Sequence, residues 1–360
     1  MEETSDPDLL IPDEEEAPTT SGTSTSTSST ATTPSSGAVV FSTSATVDAP
    51  AYSSNIPGEN ALKLTSGSVS LSSGSIKKSG PAASPVENAA VWVGNSSLTL
   101  SRTELIVTAD AAPAFALASI DPASSVPPTL TLDGVYAEIS SGDTFYISNA
   151  TADLTLSGST FKNLNPSSNF LRAEASSLGE AGANGGHARV SLVNQVLEGN
   201  ISADSLSSVS LSFSSSYYMG VLNPADSARS FSVTLDSTSN IILAGDSYLS
   251  ELSNADPENL NIFSNGYKLF VAGEEVAVNG SEAPALPEVE KKTEPAPAET
   301  TPEESSLETT AWQKCGPGST AGLKDCTSSG PSIIFFILGG ILIALAIVVP
   351  ILVLKRKKEK

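Results

Sequence analysis

The sequence predicts an all-β chain, a right-handed parallel β-helix, held by one C-terminal transmembrane helix. Three observations predict it. An apolar–Ser/Thr–apolar triplet recurs from about Leu62 to Gly280, as Val69-Ser70-Leu71, Leu98-Thr99-Leu100, Leu130-Thr131-Leu132, Leu154-Thr155-Leu156, Val190-Ser191-Leu192, Val209-Ser210-Leu211 and Val233-Thr234-Leu235. Alternation puts the aliphatics on one strand face and the hydroxyl on the other. The triplets lie 29, 32, 24, 36, 19 and 24 residues apart, too unevenly for a β-sandwich, the competing architecture, whose strands recur every ~8–12 residues. Uneven spacing around a constant core triplet suits a solenoid whose coils carry loops of different length at their corners. The third observation is an uncharged run of 22 residues, from Ile333 to Leu354, followed directly by Lys355-Arg356-Lys357-Lys358-Glu359-Lys360.

In chain order, residues 1–38 pair the acidic run Asp13-Glu14-Glu15-Glu16 with a Ser/Thr-rich stretch that has nothing to bury, and are expected to be disordered. Residues 39–280 hold the triplets and almost no helix-period pattern. At about 4.8 Å per rung, seven to nine rungs make a rod of roughly 35–45 Å. No coil buries its aliphatics alone, so the array is expected to fold as one domain with a capped end. Residues 281–314 are rich in Pro, Glu, Thr and Ala and read as an extended stalk. Residues 315–330 contain the only two cysteines, Cys315 and Cys326. Ten residues apart, they are expected to form a disulfide in an oxidising compartment, with roughly 3 kcal/mol of local ordering.

At ~1.5 Å per residue, 333–354 reaches roughly 33 Å as a helix and spans a hydrocarbon core of ~30 Å. Five of the 18 Lys and Arg lie in the tail at 355–360, and the nearest on the other side are Lys324 and Lys314. The positive-inside bias therefore places the tail in the cytoplasm and the rest outside, at the cell surface or plasma membrane. An endomembrane location and a tail-anchored topology are the alternatives. Lys357-Lys358-Glu359-Lys360 resembles a dilysine retrieval signal, and also fits a basic cluster meeting anionic lipid. The start of the chain lacks a basic, apolar signal pattern, so an export signal is expected upstream. Gly340 and Ala344 offer one small-xxx-small step for helix pairing. Four Asn-x-Ser/Thr sequons, at Asn95, Asn149, Asn200 and Asn279, are glycosylation candidates.

Composition narrows the function. With 40 acidic and 18 basic residues the net charge is −22, which argues against nucleic acid or an anionic polymer held by charge. A single histidine, His187, leaves little from which to build zinc sites or Ser-His-Asp triads.

The stretches 142–164, GDTFYISNATADLTLSGSTFKNL, and 170–192, FLRAEASSLGEAGANGGHARVSL, have a familiar wording, as do SSYYMGV at 215–221, LAGDSYLSEL at 243–252 and FSNGYKLFV at 263–271. Over about 140–280 the chain resembles large repetitive β-helix surface proteins of the adhesin or autotransporter-passenger type, with a pectate-lyase-like fold. The resemblance implies the fold and no catalytic or ligand-binding residue.

The fold also carries polysaccharide lyases and hydrolases. The polygalacturonase pattern needs Asn-x-Asp, Asp-Asp, His-Gly and Arg-x-Lys; this chain has no Asp-Asp, no Arg-x-Lys before its tail, and its histidine reads Gly186-His187. A lyase needs a basic proton abstractor beside carboxylates that hold calcium and substrate. The nearest constellation is Arg172, Glu174, Glu180, His187 and Arg189, around a Gly/Ala-rich insertion at 176–186 expected to protrude. Tyr217 and Tyr218 are candidates for stacking on a sugar ring, or for packing at an edge. Asp133, Asp143, Asn163, Asp236 and Asp246 could collect calcium at rung corners, or simply make the turns. No calcium nonapeptide motif is present, and Trp92 and Trp312 stand alone. The sequence expectation is a non-enzymatic, surface-displayed protein for adhesion or ligand binding, glycan being the ligand class. A membrane-tethered polysaccharide lyase is the first alternative, and an inert coat or spacer the second.

Overall fold

The computed structural model describes residues 35–36, 38–85, 87–119 and 124–287. These residues form strands and turns, with no helix among them and hence none long and apolar enough to cross a membrane. The expected span at 333–354, Cys315 and Cys326, residues 1–34 and the stalk beyond 287 lie outside the described residues.

Val39–Phe41 pairs with Leu62–Leu64, Ala45–Asp48 with Ser68–Ser72, and Ala51–Ser54 with Ser75–Lys78, all in parallel. Each of these meets the third strand after it, and the step repeats down most of the chain, shortening to two where Ser208–Ser214 pairs with Ser230–Leu235 and Tyr217–Gly220 with Asn240–Leu243. A chain that turns through three strands before pairing with itself builds stacked parallel sheets, the arrangement compatible with a parallel β-helix. The stack comprises a nine-stranded sheet (the long sheet), a seven-stranded and a six-stranded one, with four- and three-stranded sheets in the later coils. No packed pair of antiparallel sheets of the sandwich kind is present among the described residues.

The long sheet contains the triplets. Val69, Leu98, Leu130, Leu154 and Val190 lie in register, then pair on to Leu211 and Val233. The last two intervals are therefore 21 and 22 residues rather than the 19 and 24 read from the sequence. Inward columns from this sheet meet those of the other two in one continuous apolar core. Phe115 and Phe145 stack in that core at 5.1 Å, and Phe161 and Phe170 meet Phe145 edge-on at 5.5 and 5.2 Å. Such aromatic contacts contribute about 0.5–1.5 kcal/mol each beyond burial.

After each of the first seven long-sheet strands the chain turns a tight corner on one left-handed residue. Ala49, Ser73, Arg102, Gly134, Gly158, Asn194 and Ser215 occupy equivalent corners, with φ between 47° and 60°. The next residue points inward, and at Ser159, Gln195 and Ser216, as at Ser239 in the following coil, its side chain serves the neighbouring rung. Val135 N–H donates to Ser159 Oγ, Ser159 N–H to Gln195 Oε1, Gln195 N–H to Ser216 Oγ, and Ser216 N–H to Ser239 Oγ, all at 3.0–3.1 Å and buried. Buried N–H groups that a sharp corner would strand thus find partners one rung away.

The far end is partly covered. Leu269–Val271 turns back through Ala272 and Gly273, both at positive φ, so that Glu274–Val276 adds antiparallel to the sheet edge. Asn279 then bridges Phe263 on the neighbouring edge. Glu251–Asn254 is the last strand of the long sheet.

Candidate functional site

Because the inward columns are fixed, the residues between them must face outward. On the long sheet one outward column reads Thr46, Ser70, Thr99, Thr131, Thr155, Ser191, Ser212, Thr234 and Ser253, strictly in register. Nine hydroxyls in nine successive strands stand at about 4.8 Å intervals. Ser68, Ser97, Thr129, Asp153, Arg189, Ser210 and Ser232 form a second column two residues away. Arg189 grips Asp153 across this column through Nε at 2.5 Å and Nη2 at 2.9 Å.

One edge of this face is cut by a cleft of about 410 Å³. The coil entering Thr129–Asp133 supplies one wall, through Ser125, Val126, Pro127 and Pro128. The next coil turns tightly at Asn149, and its Asn149, Ala150 and Thr151 line the cleft between the two longer connections. The coil after that carries the insertion at 176–186 and supplies Ala183, Gly185, His187 and Arg189. The Asn149 corner is tied on both sides: its N–H donates to Asn184 O, and its carbonyl accepts from Ser119 N–H. Gly185 and Gly186 are squeezed between rungs. A Cβ on the first would lie 2.2 Å from Leu206 O, and on the second 2.1 Å from Ile147 O. Only glycine lets the insertion rejoin the sheet this closely. The His187 ring is held through Nδ1 by Ser208 Oγ at 2.9 Å. Burial lowers its pKa, as does Arg229, against the opposing pull of Asp204, so the ring is neutral at pH 7.

The five-residue constellation read from the sequence is split between two places. His187 and Arg189 line the cleft just described. Arg172 lines a separate pocket of about 250 Å³, with Asp143, Tyr146, Asn165 and Ser168. There Arg172 Nε is 2.7 Å from Asp143 Oδ2, and its Nη1 is 3.9 Å from Glu174. Burial and then the Glu174 carboxylate raise the Tyr146 hydroxyl well above its ordinary range. Burial lowers the Arg172 pKa, but Asp143 outweighs it and the net shift is upward. Both groups keep their protons, which suits holding a charge pair rather than exchanging protons at neutral pH. Tyr146 also belongs to an apolar cluster with Ala89, Trp92, Ala116 and Ala118, separate from the main core. Trp92 is thus not isolated. Lys63 Nζ sits 4.8 Å from its ring, and Leu178 packs on the cluster.

The insertion at 176–186 is anchored on both sides while its middle, 179–183, is exposed. Leu178 packs as described, Asn184 is buried, and its Nδ2 donates to Ser176 O and Leu178 O. Tyr218 is corrected outright as a stacking residue. It is 0% exposed, its hydroxyl donates to Gly199 O and Val221 O, and Phe213 meets it edge-on. Alternation turns Tyr218 inward and leaves Tyr217, its neighbour, half-buried on the outside. The sequence did not single out the outward pair Tyr248 and Phe270, stacked at 5.0 Å on paired strands.

The corner acids make turns and rung-to-rung bonds. Asp143 accepts from Asn169 N–H, Asp246 from Lys268 N–H, and Asp236 from the N–H groups of Ser215, Thr238 and Ser239. Asn163 caps Asn165 N–H and donates to Gly142 O. Among the described residues no group of three or more His, Cys, Asp or Glu is arranged to hold a metal ion. The sequons differ in how their amides are used. Asn95 Nδ2 donates to Ser119 Oγ and Val126 O, Asn149 Nδ2 to Ser119 O, and Asn279 Nδ2 to Leu260 O, whereas Asn200 only accepts, from Val221 N–H.

Compared with known protein families, curated proteins and solved structures, the chain shows no significant match to any of them.

Proposed function

We propose that this chain is a single-pass surface protein that displays a right-handed parallel β-helix and uses the hydroxyl face of its long sheet for adhesion, binding glycan without cleaving it. The observation that carries the reading is the unbroken column from Thr46 to Ser253. A repeating ligand meets the same donor and acceptor at every rung, so weak contacts add along a rigid array whose ordering entropy is already spent. Right-handedness is supported by the strong preference of parallel strand connections for that hand. Binding rather than catalysis is supported by Arg172 and Tyr146, both of which keep their protons beside the Asp143 carboxylate. The 22 uncharged residues from Ile333 and the basic tail support the anchor and its orientation.

The test pairs sidedness with binding. Protease added to intact cells should remove the β-helix, and the full-length protein should bind on a glycan array. Replacing Thr99, Thr131 and Thr155 together by valine keeps strand propensity and removes three adjacent hydroxyls; array binding should fall at least tenfold. Unchanged binding would show that this face is not the ligand surface. No binding to any glycan would favour the inert coat, and release of unsaturated or reducing ends from polyuronates would favour the lyase.

A further inference from the structure

The cleft beside the hydroxyl face has the form and chemistry of a ligand site in its own right. Its volume of about 410 Å³ falls within the ~300–1,000 Å³ of small-molecule sites. It is made by an alternation of coil lengths. Two connections, ending at Pro128 and Gly185, flank the tight corner at Asn149, whose backbone is hydrogen-bonded to Ser119 on one side and Asn184 on the other. One wall is stiffened by Pro127-Pro128 and presents Val126, 49% exposed, as an apolar surface. The remainder offers hydroxyl, amide and imidazole groups.

Charge decides the ligand class. Among the described residues of the lining Arg189 is the only formally charged one, and Asp153 neutralises it with two hydrogen bonds; His187 is neutral at pH 7. An acidic ligand would compete with Asp153 for the guanidinium and meet a chain of net charge −22. A basic one would find no free carboxylate among the described residues of the lining. We infer that this cleft takes one or two rings of a neutral saccharide, hydrogen-bonded by Thr151, His187 and Arg189 on one side and packed on Val126 and Pro127 on the other. This rests on the glycan-binding reading and adds to it the subsite that fixes a chain on the hydroxyl face.

The experiment uses the full-length protein in detergent micelles. It titrates cellotetraose, mannotetraose, chitotetraose and tetragalacturonate against wild type, Ala183→Trp and Ser125→Trp. Both substituted positions are exposed on opposite walls, so a tryptophan fills the gap without entering the core; matching circular dichroism and melting temperature verify the fold. The expected result is binding of at least one neutral tetraose, weakened tenfold or more by either tryptophan, and none of tetragalacturonate. Neutral binding that both variants retain overturns the cleft and leaves the wider glycan reading standing. Tighter binding of tetragalacturonate overturns the assigned class. Absence of binding by every probe overturns both.

Discussion

Asp236 shows how much a single side chain contributes at a corner. Its carboxylate accepts from the backbone N–H groups of Ser215, Thr238 and Ser239 and from the hydroxyls of Thr238 and Ser239. Burial alone would raise its pKa. The hydrogen bonds outweigh that and hold it at about 2, against roughly 3.9 for an unperturbed aspartate. A folded pKa below the unfolded one contributes stability that is complete above about pH 4 and is lost as pH falls towards 2. Asp236→Asn should therefore lower the urea midpoint at pH 6, and the gap from wild type should shrink steadily between pH 4 and pH 2.5. A gap independent of pH would assign the effect to geometry alone. Residues of this kind were partly legible beforehand. An aspartate before Ser-Thr-Ser reads as a turn, and Asp236 makes one. Tyr218 was not legible, because in SSYYMGV nothing but the phase of the strand says which tyrosine faces in. Tyr146 and Trp92 were hidden for another reason: a strand buried on both faces has no polar side to reveal its outer column.

Among elements, the corner after each of the first seven long-sheet strands sets the coil. One left-handed residue reverses the chain, and the next donates or accepts within the core. Gln195 is the longest of these links: it accepts from Ser159 N–H, donates to Ser159 O, and its own N–H is held by Ser216 Oγ. Gln195→Leu keeps the volume and strands both buried backbone groups of Ser159, which should cost about 1–3 kcal/mol for each group left unpaired. Urea unfolding measures it, and a loss under 0.5 kcal/mol would mean that the corner re-pairs locally. The triplets disclosed the long sheet well. Their register failed only at the Val209 triplet, where Leu211 rather than Val209 pairs with Val190 on one side and with Val233 on the other. The strands there are eight and seven residues long, and a shift of two residues keeps every aliphatic inward. A period-two pattern cannot distinguish those phases; the inter-rung hydrogen bonds at Gln195 and Ser207 can. The cleft was out of reach for a similar reason. His187 and Arg189 stood out in the sequence, but which connection faced them across Asn149 depends on coil stacking that spacing alone does not specify.

For the molecule as a whole, a stack in which each coil touches only its neighbours should lose structure from its ends. The two ends are built differently. At the N-terminal end, Val39, Phe41, Ala45 and Val47 are only partly buried, and Val40 is 56% exposed. At the other end Glu274–Val276 and Asn279 pair with the last strands of two of the three sheets. The middle coils, around Phe145 and the long strands Ala150–Ser157 and Gly186–Val193, combine the aromatic cluster with the fullest strand pairing. Hydrogen–deuterium exchange of the full-length protein should therefore be slowest in these two strands. It should be faster in Leu269–Val271 and fastest in Val39–Phe41 and Ala45–Asp48. The long strands also border the cleft, so saccharide binding should slow exchange at Thr151 and His187 without altering the order of the ends. Uniform exchange across all coils would instead mean that the stack opens as a single unit, and the coil-by-coil account of its stability would fall.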